Sequence, residues 1–227
     1  MKPLVTAVTL TVAAVLVSAC AAEKPAVETA AVATAAVAQT AGPLVGMRFF
    51  EQIRPGPAML LKRQPATLAE AYAESTAVVE ADVTGVRAGR RVGDMSSVIV
   101  TLAPVRVLRG ALRPALPVEV EFGPLYDPAD VDRVAGRMDS FPPERGIWLL
   151  RRQGEPAKDR KPGAPRVDPA QDLSLYRTVH PNCGILVPGP EHVEAPSAQD
   201  DTSGHGAQAE AERFATLAEL AGHAVIS

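Results

Sequence analysis

Short segments in which apolar and polar residues alternate recur through the middle of this chain, separated by stretches rich in glycine and proline. The clearest is PVEVEF at residues 117–122, where every second side chain is apolar, as in a strand with one buried face. Further predicted strands are 76–88, 96–110 and 146–152, and 173–179 and 184–187 are less regular candidates. Short strands between such turns favour an antiparallel barrel or sandwich over a parallel α/β sheet.

The strand predicted at 96–110 changes phase near its middle. Apolar side chains alternate up to Leu102, and the alternation resumes out of step at Val105, with Ala103 and Pro104 between them. A change of phase at a proline predicts a β-bulge or a bend in the strand.

Helices are predicted on both sides of the strands. Thr67 and Glu70 have the spacing of a capping box, which predicts a short helix over 67–75. The stretch 207–224 places apolar residues on one face and acidic residues elsewhere, which predicts an amphipathic helix docked on the sheet. The predicted fold class is therefore mainly β: a small antiparallel barrel with an N-terminal helix and a C-terminal amphipathic helix.

The first residues have the form of a secretion signal. Lys2 precedes an apolar run over 3–17, which is too short to span a bilayer, since a spanning helix needs about 20 apolar residues. The string VSAC at 17–20 then resembles the lipobox of bacterial lipoproteins. The resemblance implies cleavage before Cys20 and acylation of its sulfur. The alternative is an ordinary signal peptide, which leaves Cys20 free or removes it.

These features divide the chain into segments of different character. The Ala-, Val- and Thr-rich stretch after Cys20 has no apolar stripe and is expected to be a flexible tether. Phe49 and Phe50 are candidates for packing onto the folded domain. The predicted segments are a signal peptide (1–19), a disordered tether (20–42), an irregular Pro-rich segment (43–66), a β-barrel domain (67–190), a linker (191–206) and a helix (207–224).

The remaining cysteine and the net charge bear on two questions: whether the chain has an internal disulfide, and whether its partner is a nucleic acid. Cys183 is the only other cysteine, so a chain lipidated at Cys20 has no internal disulfide and its core must hold the fold. If Cys20 is not lipidated, a Cys20–Cys183 bridge stays open. The net charge of −3 and the lack of a basic stripe argue against a nucleic-acid partner.

His180, Cys183 and His192 are the candidate metal ligands. Histidine and cysteine bind zinc, but a structural zinc site takes four ligands and only three lie close in this sequence. The favoured interpretation is a thiol at a strand edge and two exposed histidines. We therefore predict no metal and no cofactor, and keep these three residues as candidates.

The acids and the nucleophiles of the sequence show no site pattern either. Asp127, Asp130 and Asp132, with Asp139 further on, lack the spacing of a calcium loop. They predict a solvated loop in which Asp130 caps a helical turn. The chain contains no G-x-S-x-G, H-E-x-x-H, P-loop or G-x-G-x-x-G motif, so no catalytic residue is assigned.

The order of segments over 67–190 resembles a group of secreted bacterial domains. The residues that carry it are LAEAYAESTAVVEADVTGVRAG, VIVTLAPVRVLRGAL, VEVEF, PPERGIWLLRRQG and LYRTVHPNCGILV. The resemblance implies a five-stranded barrel of the OB type, as in netrin modules and tissue inhibitors of metalloproteinases. Ala81 stands where the group has glycine. The resemblance implies no activity shared by the whole group, so none is carried over. The inhibitors engage a catalytic zinc through a free N-terminal cysteine, and this function is not transferred, because a lipidated Cys20 on a tether could not do so.

Together these features predict an exported, lipid-anchored protein of the bacterial cell envelope with a non-enzymatic binding or accessory role. The membrane is contacted through Cys20, either the cell membrane or the outer membrane, and the domain faces the periplasm or the cell exterior. The expected partner is an envelope protein or a glycan. Two alternatives stay open: a metal-handling lipoprotein, and a hydrolase whose site assembles only in three dimensions around His180 or His192.

Overall fold

The structure is a computed structural model, and it describes residues 45–53, 64–113, 115–138, 143–153, 155, 173–198 and 206–226. The predicted signal peptide, Cys20 and the predicted tether lie outside the described residues. None of the helices in the described part of the chain is both long enough and apolar enough to cross a bilayer.

The described residues form a mainly β structure with short helices. The strands are β1 (Ala77–Val92), β2 (Met95–Arg109), β3 (Val118–Tyr126), β4 (Gly146–Arg152), β5 (Tyr176–Thr178), β6 (Ile185–Pro188) and β7 (Val193–Glu194). The helices are α1 (Val45–Gln52), α2 (Leu68–Glu74), α3 (Pro128–Gly136), α4 (Ala207–Ala211) and α5 (Leu217–Ile226). The six strands predicted from alternation are confirmed, whereas β7 and α1 were not predicted.

The strand pairings close on themselves. The order is β1-β2-β3-β5-β4, and β4 pairs in turn with β1 through Ala77–Ala81. The β3–β5 pairing is parallel, with Val120 opposite Tyr176, so the prediction of a purely antiparallel sheet is wrong. The reason is geometric: strand direction cannot alternate all the way round a ring with an odd number of strands.

The predicted bulge lies where the sequence changes phase. Glu80 of β1 pairs with Arg106 of β2, and the next residue, Ala81, pairs with Pro104, so Val105 is skipped in the ladder. The extra residue accounts for the loss of phase in the alternation and confirms the predicted bulge.

Two apolar clusters lie on the two faces of the sheet. The inner cluster combines α1 with one face of the strands, and it includes Phe49, Phe50, Ile53, Val79, Val98, Val100, Leu102, Val120, Phe122, Trp148, Leu150, Ile185 and Val187. The outer cluster combines α2, α4 and α5 with the opposite face, and it includes Leu68, Tyr72, Val78, Ile147, Leu149, Cys183, Leu186, Val193, Ala207, Ala211, Leu220 and Ala224. The strand β4 contributes to both, because successive side chains point to opposite faces.

The segment 43–66 was predicted to be irregular, but it contains α1. Phe49, Phe50 and Ile53 of this region are fully buried, and the Phe50 ring lies 5.9 Å from the Trp148 ring, centroid to centroid. The expectation that the two phenylalanines pack onto the domain is confirmed. The strands present an apolar face. Because the short amphipathic segment can bury its own apolar side against that face, packing favours the helix α1.

The single helix predicted over 207–224 is wrong, because the structure has two helices there, α4 and α5. Thr216 begins the second one: its hydroxyl accepts a hydrogen bond from the Glu219 N–H at 3.2 Å. The Glu219 carboxylate in turn accepts one from the Ala215 N–H at 3.0 Å. This reciprocal capping marks the start of α5, so α4 and α5 are separate helices.

The same arrangement starts α2, as predicted. The Thr67 hydroxyl accepts from the Glu70 N–H at 3.1 Å, and the Glu70 carboxylate accepts from the Ala66 N–H at 2.7 Å.

The first part of the predicted linker, 191–206, also differs from expectation. Its residues 193–194 form β7, and the Val193 N–H donates to the Phe214 carbonyl at 2.9 Å. Burial of Val193 under the C-terminal helices favours this ordered path.

Candidate functional site

A cleft of about 420 Å³ opens beside the connection between β2 and β3. The side chains that line it include Thr101, Leu112, Arg113, Leu116, Glu119 and Tyr176. They come from β2, from the connection, from the start of β3 and from the start of β5, so the fold brings together residues that are far apart in sequence.

The cleft lies where two paired strands begin at different levels. β3 begins at Val118, but its parallel neighbour β5 begins at Tyr176, which pairs with Val120. Ser174, just before β5, lines the cleft in a helical turn instead of extending the ladder. Val118 and Glu119, at the start of β3, therefore line the cleft together with Ser174.

The connection between β2 and β3 turns sharply at its start. Gly110 has φ +92°, and a Cβ there would lie 2.4 Å from the Thr76 carbonyl oxygen. Only glycine fits this position without strain. The turn directs the following residues, including Leu112 and Leu116, over the cleft rather than away from it.

The charged side chains in the described lining of the cleft are Glu119 and Arg113. The Arg87 guanidinium donates hydrogen bonds to both carboxylate oxygens of Glu119, each at 2.8 Å, so the charge of this lining acid is compensated. Arg113, on the connection, is exposed at the cleft. With Glu119 compensated, Arg113 gives the lining a positive character.

Apolar side chains form the rim. Leu112 is half-buried, and Leu116 is 55% exposed. The Tyr176 ring, in contrast, is almost covered, and its hydroxyl accepts a hydrogen bond from Arg152 at 3.1 Å. The cleft thus combines an aliphatic rim, a cationic group and a tyrosine that is held in place.

A buried polar network supports β3 next to the cleft. Glu121 is 4% exposed, and its carboxylate accepts from Arg90 Nε at 2.8 Å and from the Ser97 hydroxyl at 2.7 Å. The Gln153 side-chain amide donates to the same carboxylate. Burial by itself raises the pKa of Glu121, but the hydrogen bonds and the Arg90 charge outweigh it and hold that pKa below its usual value.

The three candidate metal ligands do not form a site. His180 is 3% exposed and its Nδ1 accepts a hydrogen bond from the Asn182 N–H at 3.2 Å, so the expectation that it is exposed is wrong. Cys183 is fully buried. His192 is half-buried in the turn between β6 and β7. Among the described residues no three His, Cys, Asp or Glu side chains are grouped as a metal site.

The environment of Cys183 suppresses its reactivity. Burial, with a smaller effect from the nearby Glu74 carboxylate, raises the pKa of the Cys183 thiol to about 12. A thiol with such a pKa is protonated at neutral pH, whereas both a nucleophile and a metal ligand require the thiolate. Cys183 therefore acts as a small apolar side chain in the outer cluster.

The acidic loop after β3 forms a helix rather than a cation site. Helix α3 begins at Pro128, a residue type suited to the first helical position, so Asp130 lies within its first turn. Asp130 forms an ion pair with Arg133 at 3.0 Å, one turn further along the same helix. The predicted helical turn is confirmed, and Asp130 is inside it rather than capping it. Asp139 lies outside the described residues.

The cleft itself was not predicted from the sequence. Its only local signal is the stretch RGALRPALP, 109–117, where two leucines stand in a turn-rich connection that has little reason to carry large apolar side chains. Comparison of the chain with protein-family models, with curated proteins and with solved structures gives no match.

Proposed function

We propose that this chain is a lipid-anchored protein of the bacterial cell envelope that binds a partner outside the cytoplasm. The observation that carries the proposal is the apolar run over 3–17 followed directly by VSAC. Acyl chains on Cys20 would hold the chain at a membrane, since each buried methylene contributes about 0.8 kcal/mol and two or three chains give firm attachment.

The closed ring β1-β2-β3-β5-β4 is proposed to be an OB-like barrel. Its five strands and the segment order over 67–190 support this proposal. OB barrels bind ligands on the face of their second and third strands and on the loops that join strands 1 and 2 and strands 4 and 5. In this chain the cleft is lined by Thr101 of β2 and Glu119 of β3, together with the connection between them.

Binding is favoured over hydrolysis because of where the candidate catalytic groups lie. His180 is buried and His192 is half-buried, and neither lines the cleft. The cleft instead offers an exposed leucine and an exposed arginine, the kind of aliphatic and cationic combination that recognises a partner surface.

Site-specific photo-crosslinking in the producing bacterium tests this function. A photoreactive residue replaces Leu116 at the cleft rim, and in a matched control it replaces Met95, which is 38% exposed at the opposite end of β2. The expected result is a discrete adduct with one envelope component from position 116 and none from position 95. No adduct from position 116, or the same adducts from both positions, would overturn the proposal.

A further inference from the structure

We infer that the connection between β2 and β3, residues 110–117, docks on an anionic phospholipid surface. The inference rests on the proposed lipid-anchored binding function and names the partner that this side of the cleft contacts. Three features of the connection carry it: a turn that is tied to the fold, an exposed leucine, and two arginines in a stretch of sequence without an acid.

The fold holds the connection in one shape. Gly110, at φ +92°, sets its direction, and the half-buried Leu112 packs against the inner cluster. Further along, the Leu116 N–H donates a hydrogen bond to the Arg113 carbonyl at 3.1 Å. This bond closes a turn whose first and last residues lie close together. Arg113 and Leu116, both exposed, are therefore neighbours at the surface of the connection.

The exposed side chains of the connection are largely apolar. Leu116 is 55% exposed, and the smaller Ala111, Ala115 and Pro117 are exposed beside it. Moving a leucine from water into apolar surroundings is favourable. The boundary between headgroups and acyl chains provides such surroundings for an apolar side chain that enters it by a few ångströms.

The charge of the connection fits an anionic surface. Arg109 and Arg113 are both exposed, and residues 109–117 contain no Asp or Glu. The acid that follows, Glu119, accepts hydrogen bonds from Arg87 on both carboxylate oxygens, so its charge is compensated. Guanidinium groups bind phosphate oxygens through charge-assisted hydrogen bonds. Because the whole chain has a net charge of −3, an anionic bilayer attracts this part of the chain rather than the chain as a whole.

The proposed anchor favours a lipid surface over a second protein as the partner. Residues 21–44 separate Cys20 from the start of α1. A flexible chain of that length spans about 27 Å on average. An anchored domain on such a chain stays near the headgroups, which raises their effective concentration and makes weak contacts sufficient for docking. A partner protein has no such advantage.

Lipid quenching of a single dye tests the inference on the mature, acylated chain reconstituted in vesicles. An environment-sensitive dye is attached at Ala115→Cys and, in a matched control, at Met95→Cys. Cys183 is fully buried and acylation blocks Cys20, so the dye reacts at the introduced cysteine. Lipids brominated along their acyl chains quench a dye that reaches the bilayer.

The expected result depends on position and on lipid charge. In vesicles that contain phosphatidylglycerol, the dye at position 115 should be quenched and its emission shifted to the blue, whereas the dye at position 95 should not respond. In vesicles of phosphatidylcholine alone, or at high salt, the response at position 115 should fall, because the arginines lose their electrostatic attraction. Absence of quenching at position 115, or equal quenching at both positions, would overturn the inference.

Variants in the chain labelled at position 115 separate the two contributions. Arg113→Gln should lower the ratio of docked to undocked protein about fivefold. Leu116→Asp should remove most of the quenching. Arg91→Gln, at an exposed position near the far end of β1, is the control for loss of a positive charge and should leave the quenching unchanged. Equal losses in Arg113→Gln and Arg91→Gln, or full quenching in Leu116→Asp, would contradict docking through the connection.

The outcomes also distinguish this inference from the function on which it rests. A phospholipid adduct from the photoreactive residue at position 116 would support both. A protein or glycan adduct from that position, without quenching at position 115, would refute the lipid inference and leave the binding function standing. Absence of both the adduct and the quenching would refute both.

Discussion

The inner and outer apolar clusters are built from different parts of the chain. The inner cluster takes most of its side chains from strands that alternate in sequence, with rings such as Trp148 and Phe122 in contact at 6.4 Å between centroids. The outer cluster takes many of its side chains from α2, α4 and α5, with several alanines among them. One strand, β4, serves both. Alternation along a strand therefore reveals that two faces exist, but not what covers the second face.

The outer face of the sheet is also covered in two different ways. Over β4 it is covered by helices, and Ile147 and Leu149 are fully buried there. On β3 the corresponding cover is polar, because Glu121 is enclosed by Arg90, Ser97 and Gln153. The difference matters for stability, since a buried carboxylate stabilises the fold only while its hydrogen-bond partners are in place.

The largest expected effect distinguishes the two faces of β4. Trp148→Ala should lower the free energy of unfolding by about 3–5 kcal/mol, because it removes the ring that Phe50 and Phe122 contact. Leu149→Ala, the next residue and on the outer face, should lower it by a smaller amount, about 2–3 kcal/mol. Urea unfolding measures both. A larger loss in Leu149→Ala would show that the outer cluster is the main core.

The polar cover of β3 is tested by Glu121→Gln, which should destabilise the fold by about 3 kcal/mol at pH 7, because Arg90 then lacks its anionic partner. The pKa of Glu121 is lowered in the folded state. Its contribution is therefore present above the unfolded pKa and is lost as the pH falls through the folded pKa.

Urea unfolding of wild type and Glu121→Gln over a pH series checks this sign. The difference between the two proteins should shrink as the pH falls below about 4.5, the usual range of a glutamate pKa. A difference that is constant with pH would contradict the assignment of Glu121 as an ionised group.

The two capping boxes offer a matched comparison at the helices of the outer cluster. Thr67→Ala and Thr216→Ala should each lower the free energy of unfolding by about 1 kcal/mol, because each removes a hydroxyl that accepts from a helix N–H. Amide hydrogen exchange should show faster opening at the first turn of α2 or of α5 respectively. Unchanged exchange at α5 in Thr216→Ala would argue for a continuous C-terminal helix.

The last expected effect has the opposite sign. The Tyr72 hydroxyl is buried with no hydrogen-bond partner among the described residues, and burial raises its pKa. Tyr72→Phe removes this unpaired polar group and keeps the ring beside His223, so it should stabilise the fold by about 1 kcal/mol. Thermal unfolding measures it, and a lower midpoint would show that the hydroxyl has a partner.

The features that depend on interactions between residues close in sequence were predicted correctly. Alternation predicted the strands, the Thr67–Glu70 spacing predicted the start of α2, and the phase change at Pro104 predicted the bulge. The second capping box, at Thr216 and Glu219, has the same spacing in the sequence and gives a signal for the break between α4 and α5.

The cleft and the parallel pairing could not be predicted in this way. Thr101, Leu116 and Tyr176 meet only because β2, β3 and β5 adopt a particular order and register. Strand order and register depend on long-range packing, which a local pattern of apolar residues does not indicate. Pro181, the residue after His180, likewise contacts a distant part of the chain, since its carbonyl accepts a hydrogen bond from the Ser197 hydroxyl at 2.6 Å.

Mass spectrometry of the chain purified in detergent from the producing bacterium tests the central claim most directly. The account predicts that the N-terminal peptide begins at Cys20 and carries a diacylglycerol group on its sulfur. A mature N-terminus at another residue, or Cys20 with an unmodified thiol, would contradict it.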